Sequence, residues 1–296
     1  MLVFSSQECI AWLAVFMTQS VAIVTLNVIT AIVFIKNPSL CKGSLYLVIN
    51  LAVADVLVGG FSNSVNFVIT GTHCNFWKYN VTTFGIWDNI IYSIEQLFPI
   101  TSMTNIAAIS LQRVHATFFP FSHRVIKNWI FVAIMAVVWV LAALFSTALV
   151  VLSNLEGQGR SYFYLWCSFN SICLFVICIS YAFMVVKICF GAHHQHHGAA
   201  SRERKLTKTL FIMTLVSLLM YLPFVVHSFL FFTTDIFSSL SKLTSTRLSF
   251  VVLVLFYANS LVNPVLYAVR MPEFKKALVS FFRPQQRHDE IPLHDF

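Results

Sequence analysis

Charge is what this chain of 296 residues has least of. Only 10% of its residues are charged, where a soluble globular domain carries about 25%. With 58% of the residues hydrophobic and a mean hydropathy of +0.80, that deficit excludes an ordinary soluble protein. No linker is long enough to separate two soluble domains, so residues 1–296 read as one domain. No nucleophile–base set or metal-ligand cluster supports an enzyme. Neither inverted repeats nor paired broken helices in both halves, which a transporter would want, can be found. The run His193-His194-Gln195-His196-His197 lacks a nearby thiolate or carboxylate to complete a metal site, and reads as solvated loop.

What the chain does have is apolar runs of the length a bilayer core requires, roughly 20 residues each. Seven are present, approximately Ile10–Ile35, Leu45–Ile69, Phe84–Ile109, Trp129–Leu152, Tyr162–Phe190, Leu206–Phe232 and Leu248–Val269. Fifteen of the 19 lysines and arginines fall on one side of this alternation. By the positive-inside rule that side is cytoplasmic. Residues 1–9 then form a short outer terminus and residues 270–296 a cytoplasmic tail. The net charge of +8 is this inner-face bias meeting anionic membrane lipid, and needs no nucleic acid. The one N-x-S/T sequon, at Asn80, falls in a loop that this topology puts outside. Cys9, Cys74 and Cys167 can reach the oxidising side, which allows Cys9–Cys74 or Cys74–Cys167 pairing.

Polar residues inside the spans are the functional candidates, because a polar group facing lipid is costly. Asn27 lies in the first span and Asp55 in the second. Asp55 reads either as a functional site or as a carboxyl bonded to neighbouring helices. The third span carries Asp88 near its outer end, Glu95 two turns deeper and Ser102 two more turns in. Glu95, Ser102 and Ser110 share one helical face. Arg113 sits at its inner boundary. Trp139 in the fourth span reads as packing. Tyr181 lies near the inner end of the fifth. Tyr221-Leu222-Pro223-Phe224 and Asn259-Ser260-Leu261-Val262-Asn263-Pro264-Val265-Leu266-Tyr267 each place a helix-weakening proline among polar groups. Residues 272–282 read as an amphipathic surface helix with its phenylalanines toward lipid and its lysines at headgroups.

Taken in order, these residues resemble the rhodopsin-like (class A) G-protein-coupled receptors, from about Leu13 to Phe282. Asn27, Leu51-Ala52-Val53-Ala54-Asp55, Arg113, Trp139, Pro223 and Asn263-Pro264-Val265-Leu266-Tyr267 match that family's helix-by-helix motifs, and Phe274 fits its surface helix. The resemblance implies an all-α membrane protein: a seven-helix transmembrane bundle with a short amphipathic helix after the seventh span. The chain departs from the pattern at Gln112 and Val114 around the arginine. It also departs at Tyr221 for a tryptophan, at Cys173 for the fifth-helix proline, at Ser217 for a relay phenylalanine and at Asp88 for the third-helix cysteine. That last change is similar to the melanocortin and cannabinoid branch. Tyr92 stands where the melanocortin calcium site needs a second acid, and Tyr257 where an opsin needs its retinal-binding lysine.

The resemblance further implies a receptor in the plasma membrane, amino terminus outside, that transmits an extracellular ligand to a heterotrimeric G protein. Asp55, Ser102, Asn259, Ser260 and Asn263 match the family's sodium pocket. Arg113 and Glu203 match its inactive-state lock, and Tyr181 and Tyr267 the residues that line the opened cleft. Glu95 matches the acid with which amine receptors hold an ammonium, and Tyr257 the tyrosine that bonds that acid. Asp88, Tyr221 and Phe224 join them as ligand candidates. The fifth-helix positions that would bond catechol hydroxyls are Leu165 and Phe169. A lipid, nucleoside or peptide ligand, a receptor that does not couple, and a transporter or channel stand as alternatives to a cationic amine. No cofactor besides sodium is implied.

Overall fold

A computed structural model describes residues 4–37, 45–77, 86–155, 160–190, 198–234 and 236–282. Asn80, the histidine run at 193–197 and the tail beyond 282 lie outside them. So do the side chains of Asp88 and Glu203.

Among the described residues the regular structure is entirely helical. The elements are α1 (Ser6–Lys36), α2 (Leu45–Leu57), α3 (Asn63–His73), α4 (Ile86–Phe118), α5 (Pro120–Arg124), α6 (Asn128–Leu155), α7 (Arg160–Phe190), α8 (Gly198–Thr233), α9 (Ile236–Ser239), α10 (Lys242–Arg270) and α11 (Pro272–Phe282). Hydroxyl caps start two of them. Ser5 accepts from the Glu8 backbone N–H at 3.3 Å, and Ser241 from that of Thr244 at 3.1 Å. Six helical stretches among the described residues are long and apolar enough to cross a membrane. The seventh long helix is α4, with 33 residues. It packs against α2, α6, α7 and α8, so its polar residues meet protein rather than lipid.

The second span is interrupted. Between α2 and α3 the chain widens into one π-helical turn, Val58–Ser62. Gly59 in that turn lies against α1 so closely that a Cβ there would sit 2.7 Å from the Ile23 side chain. The extra residue in the turn rotates everything after it, and it aims Ser62, Asn63 and Asn66 into the bundle. Ser62 donates to the backbone carbonyl of Glu95 at 2.7 Å, and Asn63 to Ser20 at 2.9 Å. Pro99 in α4, Pro223 in α8 and Pro264 in α10 all lie inside continuous helices.

One end of the bundle carries the Cys9–Cys74 disulfide, which joins α1 to the end of α3. Cys167 is a free thiol, so the first of the two pairings forms. At the same end Arg247 of α10 grips Glu8 of α1 through two hydrogen bonds of 2.6 and 2.8 Å. The opposite end carries Arg113, Tyr267 and α11. Here one expectation needs correction. Phe274 of α11 does not face lipid: it is 1% exposed, with its ring 5.0 Å from Phe34 and 6.1 Å from Tyr267. Only Phe281 and Phe282 are exposed, beside exposed Lys275 and Lys276. Two of the phenylalanines thus meet the surroundings, and one docks the helix onto the bundle. Trp139 likewise does more than pack, since its indole N–H donates to Asn50 at 3.0 Å and ties α6 to α2.

Candidate functional site

Two carboxylates organise the polar interior, one at mid-bundle and one nearer the disulfide end. Asp55 of α2 is fully buried. Its Oδ1 accepts from the Ser102 hydroxyl of α4 at 2.7 Å and from the Ser260 hydroxyl of α10 at 2.8 Å. Its Oδ2 accepts from the Asn263 amide at 2.8 Å. Three helices therefore meet on one side chain. Asn27 of α1 joins them by donating to the Ser260 carbonyl at 2.9 Å.

Asn259, the fifth residue expected on this cluster, turns elsewhere. Its amide donates to the Tyr221 hydroxyl at 3.0 Å. The side-chain carbonyls of Asn259 and Asn263 are both buried with no hydrogen-bond partner among the described residues. The Asn263 oxygen belongs to a side chain that already bonds Asp55, and with that carboxylate and the Ser102 and Ser260 hydroxyls it makes an oxygen donor set that would suit a hard cation such as sodium.

Glu95 of α4 is 7% exposed and differently placed. Among the described residues one side chain, Asn66 of α3, donates to it, at 3.1 Å. The same Asn66 amide donates to the Tyr257 hydroxyl at 2.9 Å and to the Ser62 carbonyl at 2.9 Å. Tyr257 therefore meets Glu95 through Asn66, and nothing in the family pattern quoted above marked that asparagine. A signal was available: Asn63 and Asn66 lie three residues apart in an apolar span, hence on neighbouring positions of one face. What the sequence could not supply was the π turn that aims them.

Glu95 opens onto a cavity of about 190 Å³. Gln96 and Pro99 line it from α4, Tyr162, Phe163 and Trp166 from α7, Phe224, Ser228 and Phe232 from α8, and Leu253, Phe256 and Tyr257 from α10. Aromatic rings wall it. Trp166 meets Phe224 edge-on at 5.1 Å, and Phe224 lies 4.5 Å from Phe256. The hydroxyls of Tyr92 and Tyr162 bond to each other.

Of the ligand candidates read from sequence, Glu95, Tyr257 and Phe224 line this cavity. Tyr221 does not; it is 3% exposed and packs edge-on against Phe256 at 5.2 Å while its hydroxyl accepts from Asn259. The fifth-helix positions do not line it either. Leu165 and Phe169 pack into the apolar cluster between α4, α6 and α7, where Phe145 and Phe169 rings lie 4.1 Å apart. The side chains of α7 that reach the cavity are Tyr162, Phe163 and Trp166.

At the other end Arg113 is buried, 4% exposed, and Tyr181 and Tyr267 belong to the large apolar cluster near it. The Tyr267 ring stands edge-on to Phe34 at 5.8 Å, which holds it toward α1.

The sequence profile described as "7 transmembrane receptor (rhodopsin family)" matches residues 26–267. This chain belongs to that family. It is thus a multi-pass membrane receptor of the G-protein-coupled class, and the family is one of receptors rather than enzymes. The somatostatin receptor type 5 of Rattus norvegicus is 26% identical over 272 residues, covering 85% of this chain and 72% of that receptor. The neuropeptide Y receptor type 2 of Cavia porcellus is 25% identical over 289 residues, covering 88% and 72%. The trace amine-associated receptor 1 of Homo sapiens is 23% identical over 268 residues, covering 79% and 76%.

Proposed function

We propose that this receptor responds to a small cationic amine held by Glu95 and transmits its binding to a heterotrimeric G protein. The observation that carries this reading is a buried carboxylate at the edge of a small aromatic-walled cavity, with a single neighbouring side-chain donor among the described residues. An ammonium there would replace lost solvation by a charge-assisted hydrogen bond, and aromatic faces would add cation–π attraction. A cavity of about 190 Å³ is below the roughly 300 Å³ at which pockets for drug-sized ligands begin, which favours a compact ligand. The likeness to a trace amine-associated receptor agrees with it. A peptide ligand is the second reading, favoured by the likeness to receptors named for somatostatin and neuropeptide Y. The test is a panel of amines, lipids, nucleosides and peptides applied to cells that express the receptor with a promiscuous G protein. Activation by peptides alone would overturn the amine reading.

In the same reading the disulfide end faces outside, the protein resides in the plasma membrane and Asn80 is glycosylated. Sodium held by Asp55, Ser102, Asn259, Ser260 and Asn263 would favour one packing of the bundle over the other. Arg113 and Glu203 restrain the cytoplasmic ends of α4 and α8, and Pro223 and Pro264 let α8 and α10 rearrange so that Tyr181 and Tyr267 join Arg113 in the opened cleft. Glu203→Ala is expected to raise basal signalling and Gln112→Glu to lower it. Unchanged basal activity in both at matched surface expression removes the lock.

A further inference from the structure

The end of the bundle opposite the disulfide holds a pair of histidines that the receptor reading does not use. His115 is in the last turn of α4 and His123 is in α5. On a straight helix, residues eight apart lie about 12 Å apart along the axis and their rings do not meet. Here the helix breaks at Phe119, whose backbone leaves the helical region (φ −125°, ψ 61°), and restarts at Pro120. The chain folds back at that break, and the two Nδ1 atoms come to face each other at 3.5 Å.

That distance is long for an N–H···N hydrogen bond, which prefers about 3 Å. It matches instead two ligands of one metal ion. Zinc bound tetrahedrally to imidazole at about 2.0–2.1 Å sets its nitrogen ligands about 3.3–3.4 Å apart. The second nitrogen of His123 supports the same conclusion. Its Nε2 lies 3.4 Å from the Gln112 amide. Gln112 is 8% exposed, and its Oε1 is buried with no hydrogen-bond partner among the described residues. A half-turn of that amide brings Oε1 to the imidazole, where it accepts Nε2–H. The proton is then fixed on Nε2, and Nδ1 is left as a lone pair aimed at His115. A metal-ligating histidine is ordinarily oriented by such an outer partner. Apolar rings complete the surroundings: Phe119 lies 5.6 Å from the His115 ring and Phe131 6.3 Å from that of His123.

We infer that His115 and His123 form a binding site for a divalent transition-metal ion of the zinc type, clasping α5 to the end of α4. Imidazole nitrogen suits zinc, copper, nickel and iron, and disfavours magnesium and calcium. No group of three or more His, Cys, Asp or Glu side chains suited to a metal occurs among the described residues, so water fills the remaining coordination positions. The clasp begins two residues from Arg113.

The test uses the full chain with His193, His194, His196 and His197 replaced by alanine, so that the histidine run does not compete for metal. This parent is purified in detergent and titrated with Zn²⁺ against a fluorescent zinc chelator, and its melting is followed with and without zinc. One equivalent of zinc and a zinc-dependent rise in melting temperature are expected, because an ion that binds only the folded chain stabilises it. His115→Ala and His123→Ala should lose both effects. His115→Gln and His123→Gln, which keep side-chain bulk, should do the same, so that loss of the metal site is separated from loss of packing. Gln112→Leu should weaken zinc about tenfold, as removal of an outer-shell partner does. A parent that takes up no zinc, or histidine variants that bind it as the parent does, would overturn the site.

Discussion

Asp55 and Glu95 are both carboxylates inside the helix bundle, and their surroundings part company. Asp55 is 0% exposed and receives three donors from α4 and α10 at 2.7–2.8 Å. Glu95 is 7% exposed, takes one side-chain donor among the described residues at 3.1 Å, and borders a cavity. The first is a fastener: three donors from two other helices already use most of its acceptor positions. The second has acceptor capacity left on the side that a ligand would approach. Burial alone therefore does not distinguish a heavily bonded acid from one with room for a further partner. The number of donors each already has, and whether open space lies beside it, does.

The sharpest way to break this contrast is at Glu95. In Glu95→Gln, potency of a cationic agonist is expected to fall by about 2–5 kcal/mol, the cost of removing one partner of a buried charge pair. Surface expression should stay as in the wild type. Dose–response curves in cells that overlay those of the wild type would remove Glu95 as the anchor. The counterpart at Asp55 is a stability effect. Asp55→Ala strands three interhelical donors, and at about 0.6 kcal/mol per interhelical hydrogen bond in a membrane protein the loss is about 2 kcal/mol. Thermal unfolding in detergent reads it; an unshifted melting temperature would mean that Asp55 is no fastener. Tyr257→Phe deletes one neutral hydrogen bond of the Asn66 bridge and should cost agonist potency about 0.5–1.5 kcal/mol. A loss as large as that of Glu95→Gln would mean that Tyr257 itself carries the ligand. The finest test concerns sodium. Millimolar sodium should lower agonist affinity in the wild type and leave Asp55→Asn unaffected, and equal sodium sensitivity in both would rule the ion out at that cluster.

Much of the fold was legible from residue order. The apolar runs mark the spans because the bilayer imposes a minimum length on each one. Asp55 and Glu95 stand out because an acid in such a run must have an interior partner. The docking of Phe274 was not legible, since amphipathic spacing says which residues share a face and not which neighbour that face meets. The packing of Leu165 and Phe169 was not legible for a related reason. A matched position fixes a residue's place along α7, whereas the rotation of α7 against α4 and α6 follows from how Phe145, Phe169 and Trp166 pack.

By itself the sequence determined that this is a helical membrane receptor, which acids lie inside it and which helix carries each. Hydropathy and the ordered polar residues are local properties, and they survive being read one span at a time. Only the tertiary structure decided who meets whom: Asn66 on Glu95, Asn259 on Tyr221, Cys9 on Cys74, His115 on His123. The first and last of those pairs depend on breaks in regular helix, a π turn at Val58–Ser62 and a fold-back at Phe119. Such a break changes the direction of every side chain beyond it. No periodicity carried across it could have placed those contacts.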